Sequence, residues 1–282
     1  MTLHGLHFLL TYRCTESCDH CFVFGSPRAD SSFTLADICR LLDEGERLGT
    51  VDEVYFEGGE PFLLFDLLVA GVREARNRGL GVGIVTNAYW ATTPEAAEAK
   101  LRPLADLGLS DLTVSDDQLH GNSTRAANAR AAAEKLGIAT GTIHVDDGVC
   151  GNVMYRGRAA EKLADQMPGR HWTTYDRCPH EKLDSPGRVH LDPHGWVHLC
   201  QGLVMGNGLT APLADLVREY DPRQHPVVAP LLAGGPAELA RVFGRPAREE
   251  YADACHLCYA VRATLRTRYP QWLAPGHVYG EG

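Results

Sequence analysis

The chain has 282 residues and 30.8 kDa, enough for one large domain with a small appendage. Its 27 Lys and Arg against 36 Asp and Glu give a formal charge of −9, which argues against a nucleic-acid partner because a polyanion binder carries the opposite sign or a basic block. With 44% apolar and 22% charged residues the composition is that of a folded globular protein, which excludes wholesale disorder.

The first half alternates strand and helix patterns. Residues 6–11 form a short apolar run that reads as a buried strand. Thr34 is a helix cap with Asp37 three residues on, and Leu35, Ile38, Leu41, Leu42 and Leu48 then recur at helical spacing until Gly49. Strands follow at 51–56, 82–86, 112–115 and 138–145, and helices at 62–78, 94–107, 122–136 and 158–167. A sixth strand is expected near 171–175. Repeated strand–helix units imply a parallel sheet with right-handed crossovers, an α/β fold. Six units make a partial (β/α)6 barrel, and the chemistry of such sheets sits at the carboxyl ends of the strands. The second half differs. Residues 188–192 and 196–200 flank Pro193-His194-Gly195 as a hairpin, and helices are expected at 211–220, 236–242 and 254–268, with Gly234-Gly235-Pro236 as a loop. The expected domains are a barrel over 1–175 and a smaller unit over 176–282.

No apolar run reaches bilayer length, and residues 1–11 lack a secretory pattern. The chain therefore reads as cytoplasmic, with no membrane and no nucleic acid among its partners. In a reducing compartment nine cysteines are better metal ligands or catalysts than disulfides. Cys14, Cys18 and Cys21 lie just past the first strand, where a curled loop brings three thiolates to one metal centre. Soft ligands of this kind suit an iron–sulfur cluster, zinc or Cu(I). A [4Fe–4S] cluster takes four cysteines, so three leave one iron open. The alternative is a structural zinc with His20 as fourth ligand. Glu57-Gly58-Gly59-Glu60-Pro61 follows the second strand. Two glycines let the backbone approach a ligand closely, and Glu60 offers a carboxylate to an ammonium.

The CxxxCxxC spacing of Cys14, Cys18 and Cys21, together with Gly58-Gly59-Glu60-Pro61, resembles the radical S-adenosylmethionine superfamily. That resemblance implies a [4Fe–4S] cluster on the three cysteines and S-adenosylmethionine on its open iron. It implies that Gly58, Gly59, Glu60 and Pro61 contact the cofactor, that Asn87, Ser115 and Asp116 at the ends of the third and fourth strands hold its ribose and methionine parts, and that the Phe22 backbone contacts adenine. Asn87 and Ser115 are equally plain turn residues. Downstream, Cys178, Cys200, Cys255 and Cys258 resemble the twitch domain, the short relative of the SPASM domain, which implies a second, fully ligated [4Fe–4S] cluster. Four thiolates suit zinc as well. Cys39 reads as a packed apolar residue. Cys150, beyond the fifth strand, is either a hydrogen-atom donor to a substrate radical or an incidental loop cysteine.

The activity so implied is reductive cleavage of S-adenosylmethionine and hydrogen abstraction from a substrate, with flavodoxin or ferredoxin as reductant. Because the sequence starts directly at the first barrel strand, an N-terminal peptide-recognition domain is not expected. The leading expectation is therefore a small-molecule substrate, a sugar, aminocyclitol or nucleoside, that is dehydrogenated or epimerised in a pocket lined by Asp117, His120, His144 and Asp146. The alternatives are a maturase that cross-links or epimerises a ribosomal peptide, and a non-catalytic two-cluster electron carrier.

Overall fold

The computed structural model describes residues 1–116, 123–143 and 153–281. Five parallel strands alternate with helices along the first half. They are β1 (Gly5–Thr11), β2 (Glu53–Gly58), β3 (Gly81–Thr86), β4 (Asp111–Ser115) and β5 (Ala139–Ile143). Between them run α1 (Leu35–Leu48), α2 (Phe65–Asn77), α3 (Pro94–Asp106) and α4 (Ser123–Lys135). Thr34 caps α1 as its sequence indicates. Its side chain accepts from the Asp37 N–H, the Asp37 carboxylate takes the Thr34 N–H, and Gly49 ends the helix in a left-handed conformation.

The strands alternate between two faces. Leu6, Phe8 and Leu10 of β1, Val54 and Phe56 of β2, Val82 and Ile84 of β3, and Leu112 and Val114 of β4 are buried in the main core under the helices. The other face is the concave one, and it is polar. His7 stacks on Tyr55 at 4.9 Å, and Thr113 donates to Asp111. A Cβ on Gly83 would meet the Tyr55 ring at 2.2 Å, so this face admits a large ring only because its neighbour has no side chain.

Beyond α5 (Arg158–Lys162), β6 is only Arg170–His171. It pairs antiparallel with β10 (Glu250–Tyr251) in a separate two-stranded sheet. This corrects the expected sixth barrel strand at 171–175. Thr174 donates to the His171 carbonyl and Trp172–Thr174 closes into a 3-10 turn, so local side-chain bonds win over the strand preference of these residues. The sixth parallel strand is β7 (Arg188–Leu191), which pairs with β1 on its other side, Gly5 opposite Arg188 and His7 opposite His190. β8 (Trp196–Cys200) and β9 (Leu203–Asn207) continue antiparallel, giving the order β5-β4-β3-β2-β1-β7-β8-β9. The sheet thus runs unbroken across residue 175.

The hairpin of β7 and β8 has the expected position. Asp192, fully buried, accepts from the His194 and Trp196 N–H groups, from Tyr12 Oη at 3.0 Å and from His198 Nε2 at 3.1 Å. Burial opposes its charge, but these donors, His198 foremost, hold its carboxyl below the usual range. The remaining helices are α6 (Leu213–Glu219), α7 (Val228–Phe243) and α8 (Ala254–Leu265). The Gly234-Gly235 pair lies inside α7 as a kink, with Gly235 at φ +65°.

Candidate functional site

The loop after β1 folds back over the carboxyl ends of the strands. Cys14 N–H donates to Ser26 O and Cys21 N–H to Cys18 O, which closes the triplet into a curl. Arg158 fastens it from outside: its guanidinium donates to Cys18 O at 2.8 Å and Gly25 O at 2.9 Å, and its N–H to Cys21 O. Cys14, Cys18 and Cys21 all line one cavity of about 260 Å³. Two donors point at its sulfurs, Gly25 N–H at 3.3 Å from Cys21 Sγ and Asn87 Nδ2 at 3.6 Å from Cys14 Sγ. Burial pushes the Cys14 thiol up to about 11, and the nearby Glu60 carboxylate adds to the rise. A metal centre on these three residues would displace the thiol protons. Three thiols facing one roomy cavity, with N–H donors on the sulfurs, fit a three-cysteine iron–sulfur cluster.

The same cavity takes in Phe22, Gly58, Gly59, Asn87 and Ser115. Gly59 is packed so tightly that a Cβ would meet the Arg13 carbonyl oxygen at 2.2 Å. Glu60 and Pro61 lie elsewhere. Pro61 opens a buried 3-10 turn, Pro61–Leu64. Glu60 has no exposed surface, and its carboxylate accepts from Phe62 N–H at 3.0 Å, Thr86 Oγ1 at 2.9 Å and Asn87 N–H at 2.8 Å. The carboxylate that the sequence offers to a ligand thus braces the end of β3 behind the cavity wall. Asp116 likewise holds Arg130 of α4 at 2.7 Å, while its neighbour Ser115 is on the wall.

Glu57 and Glu16 are the acidic residues that do line the cavity, and Glu57 does so from the end of a strand. His7 Nδ1 lies 2.7 Å and His190 Nε2 3.3 Å from its Oε1. Burial opposes the Glu57 charge, but the two imidazoles, His190 foremost, hold its carboxyl well below the usual carboxylate range. Burial pushes His190 down despite Glu57. The sequence reading missed this group; polar residues on the inward positions of otherwise apolar strands are its signal.

The four downstream cysteines also meet. Cys178, Cys200, Cys255 and Cys258 line a second, small cavity of about 20 Å³ with Arg156 and Arg262. Cys200 ends β8, and Cys255 and Cys258 lie in the first turns of α8, where Asp253 caps the helix and its N-terminal dipole favours anionic sulfur. Burial pushes Cys178 up, Cys258 up to about 11, and Cys255 higher still, with Asp253 adding to the last. Arg156 donates to Cys200 Sγ at 2.8 Å, and Arg262, 1% exposed, donates to Gln201 O. Buried guanidiniums need anionic partners; Arg156 has one in Glu181 at 3.5 Å, and the thiolates of a four-cysteine centre would supply the rest. Neither arginine has a spacing that marks it in sequence. Cys39 sits half-buried on α1, outside both cavities. Cys150, Asp117, His120, His144 and Asp146 lie outside the described residues.

Residues 8–132 match the Radical SAM superfamily. Over 125 residues the chain is 24% identical to YydG of Bacillus subtilis (strain 168), a protein named for peptide biosynthesis, covering 44% of this chain and 39% of that one. Over 102 residues it is 31% identical to the S-adenosylmethionine-dependent nucleotide dehydratase of Selenomonas ruminantium, covering 36% of each. The chain thus matches well under half the length of these curated relatives. The crystal structure of BtrN in complex with AdoMet and 2-DOIA shares the fold over 94% of this chain and 90% of its own, with a TM-score of 0.55 and 15% identity.

Proposed function

Because this chain belongs to the Radical SAM superfamily through residues 8–132, we propose that it abstracts a hydrogen atom from a sugar, aminocyclitol or nucleoside and so dehydrogenates or epimerises it. The observation that carries this reading is the shared cavity, where Cys14, Cys18 and Cys21 face the Gly58-Gly59 turn and the ionised Glu57 across about 260 Å³. When bound on those cysteines, a [4Fe–4S] cluster supplies the electron for reductive cleavage of S-adenosylmethionine, the reaction that yields methionine and the 5′-deoxyadenosyl radical.

The chain's own residues bind and orient. Gly58 and Gly59 let the cofactor's methionine end approach the backbone. The Asn87 amide stays close to Cys14, braced from behind by Glu60. Ser115 would offer its hydroxyl to the ribose, and the Phe22 backbone would contact the adenine; both residues line the cavity. Val85, Ile143, Val153 and Met154 give the cavity an apolar side that would limit water around the reacting carbon. An anionic Glu57 at the wall favours a substrate with hydroxyl or ammonium hydrogens over an apolar one. Cys178, Cys200, Cys255 and Cys258 would hold a second [4Fe–4S] cluster whose charge Arg156 and Arg262 balance, and flavodoxin or ferredoxin would be the reductant.

The likeness to YydG favours a second reading, maturation of a ribosomal peptide. The two separate in one experiment. Anaerobic, iron-loaded protein is incubated with S-adenosylmethionine, dithionite and either a panel of deuterated polyols, aminocyclitols and nucleosides or a panel of peptides. The proposal expects deuterium in 5′-deoxyadenosine from a member of the first panel. Transfer from peptides alone would replace it with the maturase reading.

A further inference from the structure

Glu57 faces the larger cavity from β2, and two histidines converge on it from neighbouring strands. His7 of β1 and His190 of β7 are register partners, and Glu57 is opposite Leu9, one inward step further along β1. Both imidazoles reach the same oxygen, Oε1, at 2.7 and 3.3 Å, and the three donor atoms all lie within 4.8 Å of one another. The side chains are held in place. They are 13–17% exposed, and the His7 ring is stacked on Tyr55 and set edge-on to His190 at 5.1 Å. Sites built on strands hold their geometry better than sites on loops.

We propose that His7, Glu57 and His190 bind one divalent cation of the first transition row, beside the cavity that Glu57 lines. Metal bonds of about 2.1 Å put neighbouring donor atoms about 3 Å apart, and the two measured separations bracket that value. Two imidazoles and one carboxylate on one side of an ion are the set that suits Fe²⁺, Mn²⁺ or Zn²⁺ while leaving positions for a ligand. None of the seven cysteines assigned to clusters takes part, so this centre is distinct from both. The open positions would chelate a vicinal diol or amino alcohol. That ligand class rests on the small-molecule reading above; the cation site does not.

Mn²⁺ is the probe, because thiolates are poor ligands for it. Air-free, cluster-loaded protein with oxidised clusters is titrated with Mn²⁺, and the free ion is followed by its electron paramagnetic resonance. The expected result is one bound Mn²⁺ per chain whose electron spin-echo modulation carries imidazole nitrogen. His190→Gln and Glu57→Gln should each weaken binding at least about tenfold while iron and sulfide content stays that of the parent. No bound Mn²⁺, bound Mn²⁺ without nitrogen coupling, or undiminished binding in both variants would overturn the site. If one variant fails to fold, the other decides together with His7→Gln, and undiminished binding in both would overturn the site. 5′-Deoxyadenosine formation is a separate readout, so the radical reading and the cation site can fail independently.

Discussion

Gly59 has no room for a side chain, since a Cβ would press on the Arg13 carbonyl at 2.2 Å. The backbone of that turn must shift in Gly59→Ala, and the proposed cofactor contact would move with it. We expect at least about a tenfold loss of S-adenosylmethionine affinity, equivalent to about 1.4 kcal/mol, measured by equilibrium dialysis of iron-loaded protein; unchanged affinity would detach the turn from the cofactor. His225 bears on stability instead. It is 1% exposed, bonds to Val204 O and accepts from the Val227 and Val228 N–H groups, and burial pushes it down to about 4. An unfolded histidine titrates near 6.5 and so takes up its proton first as the pH falls. Its contribution is therefore complete above about pH 6.5 and is lost toward pH 4, on the order of 3 kcal/mol in all. The urea midpoint should fall between pH 7 and pH 5, and fall less in His225→Gln; equal slopes would refute the assignment. At this scale the convergence of each cysteine set and the tight packing of Gly58 and Gly59 were legible, because close-spaced cysteines and paired glycines leave a mark in the chain. Arg156, Arg262 and the His7–Glu57–His190 group were not, because they meet only through the fold, and neither was the burial of Glu60, which Thr86 and Asn87 set from 26 and 27 residues on.

Between Val153 and Arg158 the chain forms a strap that touches both cysteine sites. Arg156 donates to Cys200 Sγ and its guanidinium stands 5.3 Å over the Phe22 ring, while Arg158 holds the Cys14–Cys21 curl. Arg158→Ala removes two charged hydrogen bonds to backbone oxygens and should cost about 2–3 kcal/mol. The expected signature is local: up to about half of the bound iron is lost, while cysteine-ligated iron of the second site stays in the spectrum. Equal loss from both sites would make Arg158 a general stabiliser instead. Periodicity revealed the five β/α units and the β7–β8 hairpin, because each carries its own alternation of apolar residues. It could not reveal that β7 docks on β1 as the sixth parallel strand, since pairing partners are chosen by tertiary contact. β9 escaped too, a five-residue strand set off by Gly202 and interrupted by Gly206.

Across the whole molecule, one sheet carries a three-thiol cavity above β1–β5 and a four-thiol cavity beyond β7–β9. Two [4Fe–4S] clusters correspond to about eight iron and eight sulfide per chain; about four of each with one zinc would make the second site a zinc centre and leave the first intact. No helix among the described residues is long and apolar enough to cross a membrane. The central claim is that Cys14, Cys18 and Cys21 present a cluster to S-adenosylmethionine. The direct measurement is 5′-deoxyadenosine and methionine released anaerobically with dithionite from iron-loaded protein. Both products are expected from the unaltered chain and neither from Cys18→Ala whose second site remains iron-loaded. Intact S-adenosylmethionine after incubation with fully loaded, unaltered protein would contradict it and leave an electron carrier in its place.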